Sequence, residues 1–182
     1  MSRPVTIAGS TQATRPAAFL DRDGVINRDD GYVHRKEDFI WQDEAIAAIR
    51  WFNEQGYFVF VVTNQSGVAR GYYDEKAVQD LHRWMGGELA RHDAHIDAFY
   101  YCPHHPEGVV GHYSRVCNCR KPMPGMIQAA LAEWPVDASG SVLIGDKESD
   151  MAAASAAGIT GLLWTGGSLL EIARSVTRSR HA

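Results

Sequence analysis

The sequence has little that would take the protein to a membrane or to a nucleic acid. Its longest apolar run, Phe58 to Val62 with Tyr57 before it, falls far short of the roughly 20 residues that a membrane-spanning helix needs. The formal net charge is -4, and no basic run extends beyond Arg120-Lys121. Such a chain has no overall field that attracts nucleic acid or an acidic membrane. We therefore expect neither as a partner.

Cysteine is also scarce, with three in 182 residues, and no signal-peptide core is present. Residues 1–16 are polar and contain Gly, Ser, Thr and Pro, which predicts a disordered leader rather than a targeting segment. We therefore expect a cytoplasmic protein, in which a reducing environment disfavours structural disulfides. We also expect a monomer that acts on a small molecule.

The remainder of the chain alternates strand-like with helix-like segments, which predicts one α/β domain over residues 17–176. Alternation of this kind gives a parallel sheet covered by helices on both faces. The strands are expected at Ala17–Leu20, Tyr57–Thr63, Ala98–Tyr101, Ser141–Gly145 and Gly161–Trp164. The helices are expected at Asp43–Glu54, Asp74–His92, Pro124–Glu133, Ser149–Ala157 and Ser168–Val176.

Two carboxylates, Asp21 and Asp23, follow directly after the first predicted strand. Because side chains alternate along an extended backbone, both lie on the same side of it. Like charges this close repel each other unless a cation lies between them, which suggests a Mg²⁺ site. Taken alone, an Asp-x-Asp-Gly segment is more often a solvated turn.

Three further polar clusters lie just beyond predicted strand ends or open a predicted helix. They are Thr63–Gly67, Arg120-Lys121-Pro122 and Gly145–Asp150. Each alone is best explained as a turn, but their joint occurrence at one edge of a sheet favours phosphoryl transfer. The usual nucleotide signatures, a Walker A loop and G-x-G-x-x-G, are absent from the sequence.

The chemistry of these clusters fits a covalent phosphoryl intermediate. A carboxylate attacks phosphorus only if the negative charge of the phosphate is neutralised. Mg²⁺ held by Asp21, Asp146 and the main-chain carbonyl of Asp23 would supply part of that charge, and Lys121 the rest, with hydrogen bonds from the Thr63 hydroxyl. The carboxyl group of Asp23 can protonate the leaving alkoxide and then accept a proton from the attacking water.

In their chain order these clusters resemble the motifs of the haloacid dehalogenase (HAD) superfamily of phosphatases. The matching segments are Asp21-x-Asp23-Gly24, Thr63, Lys121 and Gly145-Asp146-x-x-x-Asp150. The resemblance implies a three-layer Rossmann-like fold, with Asp21 as nucleophile and Asp23 as acid and base. It further implies Thr63 and Lys121 as phosphoryl stabilisers, Asp146 as a Mg²⁺ ligand, and Asp150 as a residue that orients Lys121 or a metal-bound water.

All three cysteines lie within residues 102–119, in the pattern C-x-H-x12-C-x-C. Cys102, Cys117, Cys119 and one imidazole would complete a tetrahedral structural Zn²⁺ site with no open position for catalysis. The alternative is three buried thiols beside a His-rich surface loop. Ligand chemistry leaves His104 and His105 equivalent. Such a zinc would order the loop that leads into Lys121.

This zinc loop, together with Asp21–Asn27, resembles two related groups of the superfamily. One is the D-glycero-D-manno-heptose-1,7-bisphosphate 7-phosphatase family, which serves ADP-heptose and lipopolysaccharide core precursor synthesis; the other is histidinol-phosphate phosphatase. The segments Thr63–Gly71 and Cys117–Pro122 are closer to the heptose family. That resemblance selects His104 as the zinc ligand. It implies Mg²⁺-dependent removal of the 7-phosphate, with histidinol phosphate as the alternative substrate.

A bisphosphate substrate needs a second cationic contact, which the guanidinium of Arg120 beside Lys121 could provide. The alternative is that Arg120 pairs weakly with surface carboxylates. The chain lacks room for a large cap domain, so residues 28–42 and 102–119 must shape the pocket mouth. The predicted substrate-binding residues are Asp29, Asp30, Gly31, Tyr32, Asn64, Gln65, Ser66, Arg120 and Lys147.

Two other classes of protein share some of these features. A binding module could use the zinc loop for protein or nucleic-acid contacts, but it would not need four catalytic motifs. A polynucleotide 3′-phosphatase would need a basic groove with stacking aromatic residues, which the acidic composition does not favour.

Overall fold

The structure is a computed structural model that describes residues 13–178. Its strands are β1 (Ala17–Leu20), β2 (Phe58–Asn64), β3 (Ala98–Cys102), β4 (Val142–Gly145) and β5 (Thr160–Leu163). Its α-helices are α1 (Ala45–Glu54), α2 (Glu75–Ala90), α3 (Gly125–Glu133), α4 (Glu148–Ala156) and α5 (Leu169–Arg178). The ten expected elements are all present, with bounds that differ from the predicted ones by no more than two residues.

The five strands form one parallel sheet in the order β3-β2-β1-β4-β5. Strand β1 is central, because the chain builds the sheet outward through β2 and β3 on one side and through β4 and β5 on the other. A crevice forms outside the carboxyl ends of the strands where the direction of winding changes, and this is where open α/β sheets bind ligands. Here that point lies between β1 and β4.

The side chains of the central strands alternate between two apolar clusters, one on each face of the sheet. Leu20 and Val61 face the cluster built with α1, α2 and α5. Phe19 and Phe60 face the cluster built with α3 and α4. Both faces are therefore covered, and the three-layer α/β architecture is confirmed.

Several helix ends follow the capping chemistry that the sequence indicates. The Asp74 carboxylate accepts a hydrogen bond from the Ala77 N–H at 2.9 Å, which caps α2. Gly56 and Gly158, which follow α1 and α4, adopt φ values of +77° and +74° that favour glycine. The Gly86-Gly87 pair does not interrupt α2, because the helix packs its apolar stripe onto the sheet.

Arg15 and Pro16, the last residues of the predicted leader of residues 1–16, form backbone hydrogen bonds with the domain. The main chain of Arg15 pairs with the segment at Pro135 and Asp137, and the Pro16 carbonyl accepts a hydrogen bond from Phe58. These two residues extend the edge of the domain, because their backbone groups find partners there. Residues 1–12 lie outside the described part of the chain. Within residues 13–178 no helix combines the length and the apolarity needed to cross a bilayer.

Candidate active site

The four polar clusters meet at the carboxyl edge of the sheet. Asp21 follows β1, Thr63 is the second-to-last residue of β2, Asp146 follows β4, and Lys121 precedes α3. The strands place their ends side by side because β1 pairs in parallel register with both β2 and β4. The expected convergence of these residues is therefore present.

Lys121 lies at the centre of this convergence and is fully enclosed. Its Nζ lies 2.8 Å from Oδ1 of Asp21 and 2.6 Å from Oδ1 of Asp150, and it donates to the Val62 carbonyl at 2.8 Å. Burial alone would lower the pKa of Lys121, but the two carboxylates more than offset it and the pKa is raised. The lysine is therefore a fixed positive charge. Asp150, for which the family resemblance implies an orienting role, contacts the ammonium directly.

Three carboxylates, from Asp21, Asp146 and Asp150, bring oxygen atoms within 4.8 Å of one another. Oδ1 of Asp146 is buried without a hydrogen-bond partner among the described residues. Burial, then the charges of Asp21 and Asp150, raise the pKa of Asp146 to about 6, against an opposing effect of Lys147. One buried lysine cannot neutralise three carboxylates. The cluster therefore has the charge and the oxygen donors that suit Mg²⁺.

The Asp23 side chain is not one of the three in this carboxylate cluster, and it is held by three neighbouring residues. Its Oδ1 accepts from Nη2 of Arg22 and from Nδ2 of Asn27, both at 3.0 Å. Its Oδ2 accepts from Nε2 of Gln65 at 2.9 Å and from the same Nη2 of Arg22 at 3.0 Å. The Asp23 carboxylate is therefore held by side chains of the protein itself.

Sequence reasoning missed the residues that fix Asp23 in place. Arg22 stands between the two aspartates, where alternation along the backbone points its side chain the opposite way. Asn27 lies in the quoted motif but carried no predicted role. Tyr73 donates to Oε1 of Gln65 at 2.8 Å, and burial raises its pKa to about 12, so it stays protonated. Arg22 is flanked by two charged residues, so the sequence carried no signal for its burial.

A cavity of about 550 Å³ opens beside Asp21 and Lys121. The predicted substrate residues in its lining are Asp29, Gly31, Tyr32, Asn64, Gln65, Ser66, Arg120 and Lys147. Asp30 is not in the lining and instead pairs with Arg28 at 3.1 Å on the surface. Tyr73, Pro122 and Ser149 line the cavity although the sequence did not single them out for substrate.

Two of the lining side chains are already engaged with the protein. Both ends of the Asn64 amide bind the main chain of Lys121, each at 3.0 Å. Nε2 of Gln65 donates to the Thr63 hydroxyl at 2.9 Å as well as to Asp23. These amides hold the catalytic candidates in place. Lys147 reaches Asp29 at 3.2 Å across the cavity rim and lies 4.0 Å from Asp146.

The three thiols and one imidazole gather into a single cluster. The Sγ atoms of Cys102, Cys117 and Cys119 lie 3.0–3.4 Å apart, and none is in a disulfide. Nδ1 of His104 lies 3.3 Å from Sγ of Cys119. Tetrahedral zinc with Zn–S bonds of about 2.3 Å places its sulfur ligands about 3.8 Å apart. The three thiols lie closer together than that, and with His104 they form a group that could hold a metal ion. Burial raises the pKa of the Cys102 thiol.

The geometry also separates the two candidate histidines. His105 lies outside the thiol cluster, where its Nδ1 accepts from the Glu107 N–H at 3.1 Å and its Nε2 lies 3.4 Å from Arg70. The zinc loop itself is tied to α2 through Glu75, whose carboxylate accepts from the hydroxyls of Tyr101 at 2.6 Å and Tyr113 at 2.5 Å. Cys119 is separated from Lys121 by one residue, so the cluster and the buried lysine share one short segment.

The parallel sheet and its strand-end cluster define the HAD-like class of phosphatases. A family model described as HAD-hydrolase-like matches residues 118–176. The D-glycero-beta-D-manno-heptose-1,7-bisphosphate 7-phosphatase of Rhodopseudomonas palustris is 53% identical to this chain over 152 residues, which cover 84% of each protein. The enzyme of the same name from Escherichia coli strain K12 is 48% identical over 144 residues, which cover 79% of this chain and 75% of that relative.

A solved structure of an enzyme with a similar name resembles this chain over most of its length. The crystal structure of D,D-heptose 1,7-bisphosphate phosphatase from B. bronchiseptica, complexed with magnesium and phosphate, is 30% identical with a TM-score of 0.80. The match covers 90% of this chain and 99% of that one. The chain therefore belongs to the D-glycero-D-manno-heptose-1,7-bisphosphate 7-phosphatase family, within the HAD-like phosphoric monoester hydrolases.

The carboxylate cluster leads to a prediction for Gly24. This residue has φ +98°, and a Cβ atom there would lie 2.3 Å from Oδ2 of Asp146. Gly24→Ala should therefore displace Asp146, weaken Mg²⁺ binding measured by calorimetry, and lower kcat by about 10²-fold, the cost of roughly 1 Å of misplacement. Gly56→Ala is the matched control, because φ is +77° there but nothing lies within 4 Å. Equal effects of the two changes on Mg²⁺ binding would contradict the prediction.

Proposed function

We propose that this protein removes the 7-phosphate of D-glycero-D-manno-heptose 1,7-bisphosphate and leaves the sugar 1-phosphate. The observation that carries the proposal is one cavity that holds Asp21, Lys121 and Arg120. Such a cavity offers a nucleophile and a fixed cation for one phosphate, and a second cation for another. The relatives named for this reaction share about half of their aligned residues with the chain. The names of these relatives specify the β anomer, which we propose as the preferred substrate.

Asp21 is the proposed nucleophile. Its Oδ1 accepts hydrogen bonds from the Arg22 N–H at 2.8 Å and from Lys121, which fixes the plane of the carboxylate. In the first step a carboxylate oxygen bonds to phosphorus and the bond from phosphorus to the sugar oxygen breaks. Lys121 and the Thr63 hydroxyl stabilise the charge that develops on the phosphoryl group.

Asp23 is the proposed acid and base. It gives a proton to the departing alkoxide, and it takes one from the water that then hydrolyses the aspartyl phosphate. The second step releases inorganic phosphate and restores the Asp21 carboxylate and the protonated form of Asp23. Arg22, Asn27 and Gln65 keep the Asp23 side chain in one orientation throughout.

We propose that Mg²⁺ is held by Asp21, Asp146 and the main-chain carbonyl of Asp23, with Asp150 orienting Lys121. When bound, Mg²⁺ would neutralise the carboxylates and part of the phosphate charge. The unpartnered Asp146 oxygen and the excess of negative charge fit this assignment.

We also propose that Cys102, His104, Cys117 and Cys119 hold a structural zinc ion. Four protein ligands leave no open coordination position, so this ion would order residues 102–119 rather than take part in the reaction. The folded unit would comprise residues 17–176 as one domain.

The substrate assignment is tested with a panel of phosphate esters assayed for Mg²⁺-dependent phosphate release. The panel contains the β and α anomers of the heptose bisphosphate, histidinol phosphate and a 3′-phosphorylated oligonucleotide. We expect the highest kcat/KM with the β anomer, heptose 1-phosphate as the product, and no detectable turnover by Asp21→Asn, because an amide is a far poorer nucleophile. A preference for histidinol phosphate or for the oligonucleotide would overturn the proposal.

Arg120 gives a prediction that separates bisphosphate from monophosphate substrates. Its guanidinium lines the cavity and makes one long hydrogen bond, at 3.4 Å, to the His104 carbonyl. Arg120→Ala should lower kcat/KM for the bisphosphate by roughly 30- to 150-fold, the worth of a charge-assisted bidentate contact. A heptose 7-monophosphate should be affected far less. Arg35→Ala, at an exposed pair with Asp38, is the control. A uniform twofold effect on both substrates would remove Arg120 from phosphate binding.

The zinc assignment predicts opposite outcomes for two neighbouring histidines. His104→Ala should lose zinc, which wild type should hold at about one ion per chain, and should unfold at lower temperature because it removes a ligand of a folding metal. His105→Ala should keep both its zinc and its unfolding temperature. Elemental analysis of freshly purified proteins decides between them, and zinc-free wild type would refute the site.

A further inference from the structure

The guanidinium of Arg22 is completely buried next to Asp23. It donates to Asp23, to the Val33 carbonyl at 2.6 Å, and from Nη1 to Nε2 of His82 at 3.3 Å. A guanidinium has five N–H donors in a rigid plane, and each buried donor without an acceptor is costly. The acceptors supplied by Val33 and His82 therefore determine the plane in which Arg22 meets Asp23.

His82 is a buried imidazole with no part in the chemistry described so far. It occupies the apolar stripe of α2, in step with Val78 and Met85, and its ring stacks on Phe99 with centroids 4.5 Å apart. Because arginine only donates, Nε2 of His82 is the acceptor and the ring proton lies on Nδ1. Burial and then the charge of Arg22 lower the pKa of His82 to about 3, so the ring stays neutral.

We propose that His82 is a positioning residue for Asp23 and acts through the side chain of Arg22. The proposal rests on the acid and base role proposed above for Asp23. Nη2 of Arg22 contacts both oxygens of Asp23 at 3.0 Å, so a rotation of the guanidinium moves the carboxylate with it. Nε2 of His82 contacts the other terminal nitrogen, Nη1, and so resists that rotation. His82 lies on α2, a helix that carries none of the catalytic candidates.

A positioning role differs from a packing role in which substrates it affects. Sugar and alkyl phosphates have poor leaving groups and need the proton that Asp23 delivers, whereas nitrophenyl phosphate needs little of it. A misaligned Asp23 therefore slows the first kind of substrate selectively. A packing defect lowers the amount of folded protein and slows every substrate alike.

The test uses variants of His82 that differ in the acceptor. His82→Leu removes it, His82→Phe removes it but keeps a ring against Phe99, and His82→Gln keeps an acceptor of similar reach. His92→Leu, at an exposed position just beyond α2, is the matched control. Each protein is assayed with a series of aryl phosphates of increasing leaving-group pKa and with the heptose bisphosphate. Thermal unfolding is recorded for each protein, and Asp23→Asn sets the full effect of losing the acid.

We expect His82→Leu and His82→Phe to lose about tenfold in kcat on the poorest leaving groups, a part of the roughly 10²- to 10⁴-fold that acid catalysis supplies. The loss on nitrophenyl phosphate should stay within about twofold, so the dependence of rate on leaving-group pKa steepens toward that of Asp23→Asn. His82→Gln should restore the wild-type dependence. If either acceptor-free variant fails to fold, the other carries the comparison with His82→Gln.

Three results would overturn the proposal. They are equal losses on all esters, no loss in the acceptor-free variants, and a folded His82→Gln as impaired as they are. The aryl phosphate series does not involve the sugar, so its outcome is independent of whether heptose bisphosphate is the substrate. If the wild-type protein hydrolyses the heptose bisphosphate no faster than the other esters, that result counts against the proposed function instead.

Discussion

The structure depends on one buried positive charge. Removing an ammonium from water costs several kcal/mol unless charged partners replace its hydration. Lys121 has two such partners, Asp21 and Asp150, and a third contact in the Val62 carbonyl. These come from three separate parts of the chain, so the ends of β1 and β2, the start of α4 and the segment before α3 must meet around the lysine. The buried ammonium of Lys121 therefore constrains the relative positions of these elements.

The same constraint explains why polar residues near the site interact chiefly with one another. Asn64 uses its whole amide to hold the main chain of Lys121, and Gln65 links Asp23, Thr63 and Tyr73. In a site of low dielectric constant, satisfied networks of this kind stabilise a single arrangement, because a half-satisfied network leaves buried groups unpaired. The charges and dipoles around the reacting position are thus preorganised before any ligand enters.

Much of this arrangement could be predicted from the sequence, and what could not be has a physical reason. Periodicity located the strands and helices, and the parallel topology then brought Asp21, Thr63, Lys121 and Asp146 to one edge. The position of Arg22 was out of reach, because alternation shows that it points away from Asp21 but not what lies there. His82 falls on the apolar stripe of its helix, yet only the packed structure shows that this stripe meets a buried guanidinium. Ligand chemistry alone did not separate His104 from His105, but the folded loop places only His104 beside the thiols.

The wall of the cavity and its reacting centre come from different kinds of structure. The carboxyl edge of the sheet holds Asp21 and Thr63, and the first turn of α4 holds Asp150. The connecting segments hold Asp29, Tyr32 and Arg120. Changes in the segments can therefore alter which ester fits without disturbing the groups that cleave it. Asp29 and Tyr32 thus lie in a stretch apart from the reacting centre, whereas Arg120 directly precedes Lys121. A new substrate preference could thus arise by exchanging the loop of Asp29 and Tyr32 while the hydrolytic centre is inherited unchanged.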